Sequence, residues 1–314
     1  MSLDTAHRAL TQWPLSVADL RLFAQRENAV FRVRTDTGTC FALRVHRQGY
    51  QRTAALASEL HWMQHLHGAG LPVPVPVPSD DGRLLRHQDG FAVDVLTWLD
   101  GEPLGQSGTP LAHADREGCF FRLGQTLARV HAASDAWALP GGFERSAWDL
   151  DGLIGDAPLW GPYLDSPALT AAQRGTLARV RDALRAALDG STLDYGLIHA
   201  DAVPENVLLT PDGVALIDFD DSGFGYRLFD VATALLKHRA EPDYPRLEAA
   251  LIAGYRALRP IDTAHLAAFS VMRAQTYIGW IRARIDEPGA AVRQQRVIDT
   301  ALSLAVDYLE RAPA

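Results

Sequence analysis

The stretch from Tyr195 to Asp220 reads YGLIHADAVPENVLLTPDGVALIDFD and decides the fold prediction. Its apolar start ends at His199-Ala200-Asp201, and four residues separate this triplet from Asn206. Pro211-Asp212-Gly213 is typical of a tight turn, and the apolar runs on both sides of it predict a hairpin of two strands. The second strand ends at Ile217-Asp218-Phe219. The stretch therefore predicts a polar loop followed by a hairpin that ends in a carboxylate.

Asp201, Asn206 and Asp218 have the order and spacing of a kinase catalytic loop and the metal-binding aspartate that follows it. Phosphoryl transfer needs a carboxylate beside the attacking hydroxyl and oxygen ligands for the magnesium ion that bridges the nucleotide phosphates. Asp201 suits the first task, and the amide of Asn206 and the carboxylate of Asp218 suit the second. Each motif alone is more often structural, but together and in order they indicate a catalytic site. We interpret His199 as a structural residue that holds the loop.

The first hundred residues are predicted to form an antiparallel sheet of about five strands with one helix. The helix is predicted from Thr53 to His67, where apolar side chains recur at helical spacing. The run from Leu71 to Pro78 cannot be helical, because every second residue is a proline without an amide hydrogen. We expect it to cross the surface as an extended connector. A turn is expected at residues 87–90, and the clearest strands are residues 29–34, 40–45, 83–85 and 91–96.

The rest of the chain is predicted to be mainly helical, apart from the stretch quoted first. A sheet-rich beginning and a helix-rich remainder favour an α+β protein of two lobes, residues 1–98 and residues 99–314. The hinge would lie near Thr97 to Gly101. The predicted helices cover about residues 111–133, 168–189, 227–238, 243–257, 262–284 and 290–310.

The composition is that of a globular protein, with 47% hydrophobic and 22% charged residues. A net charge of -8 without a basic, aromatic-rich cluster argues against a nucleic acid partner. We predict no signal peptide and no membrane segment, because no stretch approaches the roughly 18 apolar residues of a span. Cys40 and Cys119 stand far apart in apolar surroundings, which favours buried free thiols and a cytoplasmic location. The sequence does not indicate an oligomeric state.

The chain resembles the aminoglycoside phosphotransferase and choline kinase superfamily, which has a protein-kinase-like fold. The resemblance runs from about residue 20 to the C-terminal helices, and it looks most like the branch with stress-response kinase A and homoserine-kinase-like proteins. Besides the stretch quoted first, it rests on residues 26–33 (RENAVFRV), 41–47 (FALRVHR), 58–62 (SELHW) and 223–232 (GFGYRLFDVA).

The resemblance implies an enzyme that uses ATP and Mg²⁺ to phosphorylate a hydroxyl group of a small molecule. It implies that Asp201 is the catalytic base and that Asn206 and Asp218 are the magnesium ligands, with Asp220 assisting. Asp230 resembles the aspartate that supports the catalytic loop from below, although a simple helix N-cap is the alternative.

For the nucleotide, the resemblance implies that Arg44 grips the phosphates and pairs with Glu59. Most members carry a lysine at this position, so the forked guanidinium is a departure, and an ordinary surface arginine is the alternative. We also assign a group of hinge residues to the nucleotide site: Thr97, Trp98 and Leu99. Glu27-Asn28-Ala29-Val30 lies where protein kinases have a glycine-rich loop, so other backbone amides must cover the phosphates. The chain has no GxxxxGK[ST] motif, which excludes a P-loop enzyme.

The acceptor is less constrained by the sequence. Only residues 219–226 separate Asp218 from the next predicted helix, which leaves no room for a long activation loop and favours a small-molecule acceptor. Trp148 and Asp149 lie in an acidic, aromatic-rich segment and are predicted to contact an amine-bearing alcohol, because acids and aromatic faces attract ammonium groups. The alternative is a surface loop whose aromatic residues pack on the lobe beneath. Three other functions stay open: a stress-response Ser/Thr protein kinase, an aminoglycoside resistance phosphotransferase and a nucleotide-binding pseudoenzyme.

Overall fold

The computed structural model of the chain describes residues 2–25 and 28–311. Arg26 and Glu27, which belong to one of the resembling segments, lie outside the described residues. The helices are α1 Leu3–Leu10, α2 Thr53–Gly68, α3 Arg116–Asp135, α4 Leu150–Ile154, α5 Ala171–Leu188, α6 Arg227–Leu236, α7 Tyr244–Arg256, α8 Leu266–Arg282 and α9 Ala290–Arg311. The strands are β1 Val17–Gln25, β2 Ala29–Thr35, β3 Cys40–Val45, β4 Leu85–Gln88, β5 Phe91–Thr97, β6 Glu102–Pro103, β7 Ala147–Trp148, β8 Tyr195–Ile198, β9 Val207–Thr210, β10 Gly213–Leu216 and β11 Gly223–Tyr226.

The described residues divide into two compact units. The first unit takes its residues from Met1–Pro103, Ala136–Arg145 and Asn206–Asp220. The second unit takes its residues from Leu104–Asp135, Ser146–Glu205 and Asp221–Ala314.

An antiparallel sheet of five strands forms the first unit's framework, in the order β1-β2-β3-β5-β4. The predicted sheet and its first hairpin are therefore confirmed. The turn expected at residues 87–90 is shorter, because β4 continues to Gln88 and only Asp89-Gly90 separate it from β5. Both residues have positive φ angles, 52° and 81°, which is the backbone geometry of a two-residue hairpin turn.

The core of the first unit lies between the sheet and α1, a helix that the sequence analysis did not predict. Ser2 caps α1 by accepting a hydrogen bond from the Thr5 amide at 3.2 Å. Ala6 and Ala9 of the helix are buried in the same cluster as Phe31 of β2. Full burial of a phenylalanine contributes about 1.5–3 kcal/mol, so this contact fixes α1 although the helix is short.

The proline-rich run of residues 71–78 is extended, as predicted, but it does not cross the surface. Leu71 and Val73 are buried. Val77 donates its amide to the Val95 carbonyl at 2.8 Å, and the Thr97 amide donates to Val75 at 2.9 Å. The run therefore lies along β5, because the valines between the prolines keep their amides for hydrogen bonding.

The second unit is mainly helical, with α3 packed against α7 and α8 packed against α6 and α9. The predicted helices are present with small shifts at their ends. The largest shift is in α3, which begins at Arg116 and not near residue 111. Asp115 accounts for it, because its Oδ1 accepts the Gly118 amide at 2.9 Å and caps the helix there.

A short sheet in the order β7-β11-β8 lies in the same unit. Strand β11 lies in the short segment before α6, where the sequence did not predict a strand. β11 pairs with β8 in antiparallel register and with β7 in parallel register. A side chain at Gly223 would come 2.3 Å from the Ser146 carbonyl, so glycine is needed for this close strand pairing.

Two further expectations concern membrane-spanning helices and the two cysteine thiols. No helix within residues 2–25 and 28–311 has the length and hydropathy of a membrane span. Both cysteines are free thiols. Cys119 is buried as predicted, whereas Cys40, the first residue of β3, is only half-buried.

Candidate active site

In the second unit, β8 leads directly into the loop of His199, Ala200 and Asp201. The amides of His199 and Ala200 donate to the two carboxylate oxygens of Asp230 at 2.9 Å and 2.6 Å. Ala200 has φ 65°, a left-handed conformation that costs a non-glycine residue about 1–2 kcal/mol. Asp230 offsets this strain, because it holds both amides of the strained turn.

Asp230 is a buried residue inside α6 and not the N-cap, since the helix begins at Arg227. His131 Nε2 lies 2.9 Å from Asp230 Oδ2, and His131 Nδ1 lies 2.7 Å from the hydroxyl of Tyr255. Burial lowers the pKa of His131, so a neutral ring donates to Asp230 and accepts from Tyr255. Burial is the largest single effect and opposes ionisation of Asp230, but the interactions with His131 and His199 together outweigh it and lower the pKa of this carboxyl.

We expect Asp230→Asn to destabilise the protein by about 3 kcal/mol, because the new amide group faces donors that a carboxylate had satisfied. Urea unfolding measures this as a lower transition midpoint. Asp182→Asn, at an exposed position on α5, is the control and should change the stability by less than about 0.5 kcal/mol. Equal midpoints for the two variants would contradict the role of Asp230 in the loop.

Asp201 pairs with an arginine that the sequence analysis missed. Arg273 Nη2 of α8 lies 2.5 Å from Asp201 Oδ1, and the Arg273 side chain is fully buried. On the other side of the loop, the Asp201 amide donates to His199 Nδ1 at 3.3 Å. The structure therefore fixes the carboxylate of Asp201 through its own backbone and through a buried guanidinium. The signal for Arg273 was a charge in the middle of α8, whose other charged residue, Arg282, lies at the end of the helix.

Aromatic rings enclose the guanidinium of Arg273. Its carbon lies 4.4 Å from the ring centroids of Trp160 and Tyr277, and Nη2 also lies 2.9 Å from the Tyr277 hydroxyl. Trp160 reaches this position because its loop lies directly on α8, where a side chain at Gly279 would come 2.4 Å from the Gly161 carbonyl. Stacking on aromatic rings compensates a buried guanidinium for part of its lost hydration.

In the first unit, Arg44 is a buried residue at the centre of an ion-pair network. Its Nη1 lies 2.7 Å from Glu59 Oε1, which is the pair that the resemblance implied. Its Nε and Nη2 lie 2.8 Å and 2.9 Å from the two oxygens of Asp94. His46 Nε2 lies 2.6 Å from the same carboxylate. The interpretation as a surface arginine is therefore wrong, while nucleotide contact by Arg44 or Glu59 stays a prediction.

Asp94 gives this network a pH dependence. Burial opposes its ionisation, but Arg44 and His46 outweigh burial and lower the pKa of the carboxyl to about 2. A lowered pKa stabilises the folded state at pH values above the ordinary value of about 4, and the contribution is lost as the pH falls toward the folded value. We expect a loss of about 2 kcal/mol over this interval in the wild type. Unfolding at a series of pH values should show a flatter profile for Asp94→Asn, and an identical slope would contradict the pairing.

Asn206 and Asp218 are brought together by the predicted hairpin, whose strands β9 and β10 pair in antiparallel register. Asn206 is buried and its carbonyl accepts the amide of Ile217 at 2.9 Å, directly before Asp218. Asp218 is exposed and has φ 64°, so its backbone turns sharply at the end of the hairpin.

The chemistry of Asn206, Asp218 and Asp220 fits a magnesium ion. Asp220 is buried, and its Oδ1 has no hydrogen-bond partner among the described residues. Burial, followed by the negative charge of Glu59, raises the pKa of Asp220, so a cation bound beside this carboxyl would favour its ionised form. No group of three or more His, Cys, Asp or Glu side chains in the described part of the chain is arranged to hold a metal. One amide and one carboxylate suit magnesium, which keeps several waters and also binds phosphates.

Arg145 is a second buried arginine that the sequence analysis did not assign to the site. It contacts Glu59 at 3.4 Å and donates to the backbone carbonyls of Phe219 and Asp220 at 3.2 Å and 2.5 Å. It therefore links the helix that carries Glu59 to the segment after Asp218. Its only signal was its position as the single base in an acidic segment.

The predicted hinge residues lie at the end of β5. The Thr97 amide donates to the Val75 carbonyl at 2.9 Å, and the Thr97 hydroxyl accepts from the Val75 amide at 2.9 Å. The Trp98 amide donates to the Cys40 carbonyl at 3.2 Å. The ring of Trp98 packs edge-on against Phe23. Leu99 is half-buried. Their contact with a nucleotide stays a prediction.

Trp148 and Asp149 have local structural roles in the second unit. Trp148 is buried, stacks on Phe229 and donates its indole N–H to the Asp221 carbonyl at 2.8 Å. Asp149 caps α4 by accepting the Gly152 amide at 2.8 Å. These contacts account for both residues without an acceptor, and their proposed contact with an amine stays untested.

The chain is similar to known phosphotransferases and kinases in sequence and in structure. The family model described as APH, phosphotransferase enzyme family, matches residues 19–268. The solved structure of a microcompartment-associated aminopropanol kinase is 31% identical, covers 98% of each chain and superposes with a TM-score of 0.85. A homoserine kinase of Gluconobacter oxydans is 32% identical over 282 residues, 82% of this chain and 79% of that protein.

An amicoumacin kinase solved with AMP-PNP and Ca²⁺ has a TM-score of 0.77 and covers 95% of this chain. At 18% identity it shows the fold alone. The α+β, protein-kinase-like fold and the resemblance are thereby confirmed, and the protein is a kinase that phosphorylates a hydroxyl group of a small molecule. The chain belongs to the phosphotransferase enzyme family.

Proposed function

We propose that the protein transfers the γ-phosphate of ATP to the hydroxyl group of a small amine-bearing alcohol, with Asp201 as the base. The bond from the γ-phosphorus to the bridging oxygen of ATP breaks, a new bond to the acceptor oxygen forms, and the hydroxyl proton passes to Asp201. ADP and the phosphate ester are the products. Aminopropanol and homoserine, after which two of the relatives are named, both contain a hydroxyl and an amine.

The observation that carries the proposal is the fixed carboxylate of Asp201. Arg273 binds its Oδ1, and Asp230 holds the two amides before it. A base that is held by its surroundings needs little reorganisation when the hydroxyl proton is transferred. The family model matches residues 19–268, which include the loop of Asp201, and this supports the role of Asp201 as the base.

We propose that Asn206 and Asp218 hold Mg²⁺, with Asp220 assisting, and that residues 1–98 form the nucleotide-binding lobe and residues 99–314 the acceptor-binding lobe. When bound, magnesium neutralises charge on the nucleotide phosphates. Arg44 contributes a positive charge to the phosphates while Asp94 and Glu59 fix its orientation. A further group of residues would complete the nucleotide site: Thr97, Trp98 and Leu99. Free thiols fit our placement of the protein in the cytoplasm.

Calorimetric titration with ATP tests the nucleotide and metal assignments. We expect ATP to bind the wild type in a magnesium-dependent manner, and Asp218→Asn to weaken that binding more than about tenfold through loss of a ligand. Asp212→Asn, at the exposed turn of the same hairpin, is the matched control and should bind like the wild type. Binding that responds neither to magnesium nor to Asp218→Asn would contradict the metal assignment.

A further inference from the structure

Lys237 is the only lysine among the 30 lysine and arginine residues of the sequence. It lies at the end of α6, is half-buried, and places its Nζ 3.6 Å from the ring centroid of Tyr277. The guanidinium of Arg273 lies 4.4 Å from the same centroid and binds Asp201. One aromatic ring therefore contacts both the lone lysine and the arginine that holds the proposed base.

The positive charges here exceed the negative charges that neutralise them. Lys237 has no ion pair and no hydrogen bond among the described residues, and its ammonium group lies over the Tyr277 ring. Arg273 binds Asp201 through Nη2, whereas its buried Nε and Nη1 have no acceptor in the described part of the chain. Glu205 is bound elsewhere, by the amide and the hydroxyl of Ser107 at 2.7 Å and 3.0 Å.

The electrostatics of Lys237 show the consequence of this surplus. Burial lowers its pKa to about 8, and the positive charges of Arg273 and Arg296 act in the same direction. The negative charges of Asp201 and Glu205 oppose this shift without cancelling it. A partly desolvated ammonium in such surroundings is stabilised by an added anion. In a protein with a net charge of -8, this is a distinct positive position beside the base.

We propose that Lys237, supported by Arg273, binds a carboxylate of the acceptor, so that the enzyme prefers a hydroxy acid or hydroxy amino acid to an alcohol without an acid group. The inference rests on the proposed function, because it takes Asp201 as the base beside the acceptor hydroxyl. A compact ammonium suits a carboxylate that arrives with the substrate, while the rigid fork of Arg273 is already committed to Asp201. A phosphoryl group is also an anion, and the test separates these two sources.

Two pairs of acceptors differ only in the carboxylate: threonine with 1-amino-2-propanol, and homoserine with 3-amino-1-propanol. We expect the wild type, with ATP and Mg²⁺, to have a higher kcat/KM for the acid of at least one pair. Lys237→Met should lower kcat/KM for that acid about tenfold to a hundredfold, the range of a hydrogen bond to a charged group. It should change kcat/KM for the decarboxylated partner by less than about threefold, within the range of a surface substitution. Lys237→Arg should recover part of the loss.

Arg239→Met is the matched control, because Arg239 is exposed and its guanidinium also lies over a tyrosine ring, that of Tyr244 at 5.3 Å. It should leave both pairs unchanged. An equal loss in both members of a pair with Lys237→Met would overturn the proposal and assign Lys237 to the transferred phosphate. A wild-type preference for the decarboxylated members would also overturn it.

A binding measurement separates this inference from the proposed function. Reductive methylation with ¹³C-formaldehyde labels Lys237 without removing its charge, and the resonance is identified by its absence in Lys237→Met. Without ATP, the acid members should shift this resonance and the decarboxylated members should not. If the resonance responds but no alcohol is phosphorylated, the proposed function fails while the anion site stands. If alcohols are phosphorylated but the acid members do not shift the Lys237 resonance, the inference fails while the proposed function stands.

Discussion

Asp201→Asn is expected to lower kcat about a thousandfold, within the range measured for loss of a general base, and to change KM for ATP little. An asparagine amide has nearly the same shape but does not accept the hydroxyl proton. The loop would stay in place, because its own amides are held by Asp230. Acceptor-dependent ADP formation, followed at saturating ATP, measures the effect.

The same substitution should also lower stability by about 2–3 kcal/mol, because it removes the negative partner of a buried guanidinium. Asp201→Asn combined with Arg273→Met removes both charges, so we expect it to recover stability without recovering activity. This double variant separates loss of the base from loss of folding. Retention of kcat within tenfold of the wild type by the single variant would contradict the assignment of Asp201.

Arg44→Met is expected to destabilise the first unit by about 3–5 kcal/mol, which is the usual effect of breaking a buried ion pair from one side. Asp94 and Glu59 are both fully buried and would lose the cation that neutralises them. Thermal and urea unfolding measure the change. Arg34→Met, at an exposed arginine on β2, is the control and should stay within about 0.5 kcal/mol of the wild type.

Arg44→Lys separates charge from geometry at the same position. The guanidinium of Arg44 contacts three carboxylate oxygens, two of Asp94 and one of Glu59. A single ammonium does not reproduce the bidentate contact, so we expect a loss of about 1–3 kcal/mol. Equal stability of Arg44→Lys and the wild type would show that the forked geometry is dispensable.

The hairpin of β9 and β10 shows what a sequence determines locally. Its two apolar runs and the Pro211-Asp212-Gly213 turn lie within one short segment, so alternation and turn chemistry predicted it correctly. The same holds for the first hairpin and for α2. The order Asp201, Asn206, Asp218 was also readable, because those residues are close in the sequence.

The partners of these residues were not readable, because tertiary packing brings them together. Arg273 is 72 positions from Asp201, and Asp94 is 50 positions from Arg44. Each is a charge flanked by uncharged residues within its element, which indicates a buried polar contact but does not name its partner. β11 was missed for a related reason, since its glycines serve close strand pairing and resemble a turn when read alone.

Phosphate transfer from ATP to small alcohols tests the central claim most directly. Wild-type protein and Asp201→Asn would be incubated with labelled ATP, Mg²⁺ and an acceptor panel of amino alcohols, hydroxy amino acids and aminoglycosides. We predict a phosphate ester of at least one acceptor with the wild type, and none above background with Asp201→Asn. No ester with any acceptor from a wild-type protein that binds ATP and Mg²⁺, or equal amounts from both proteins, would contradict it.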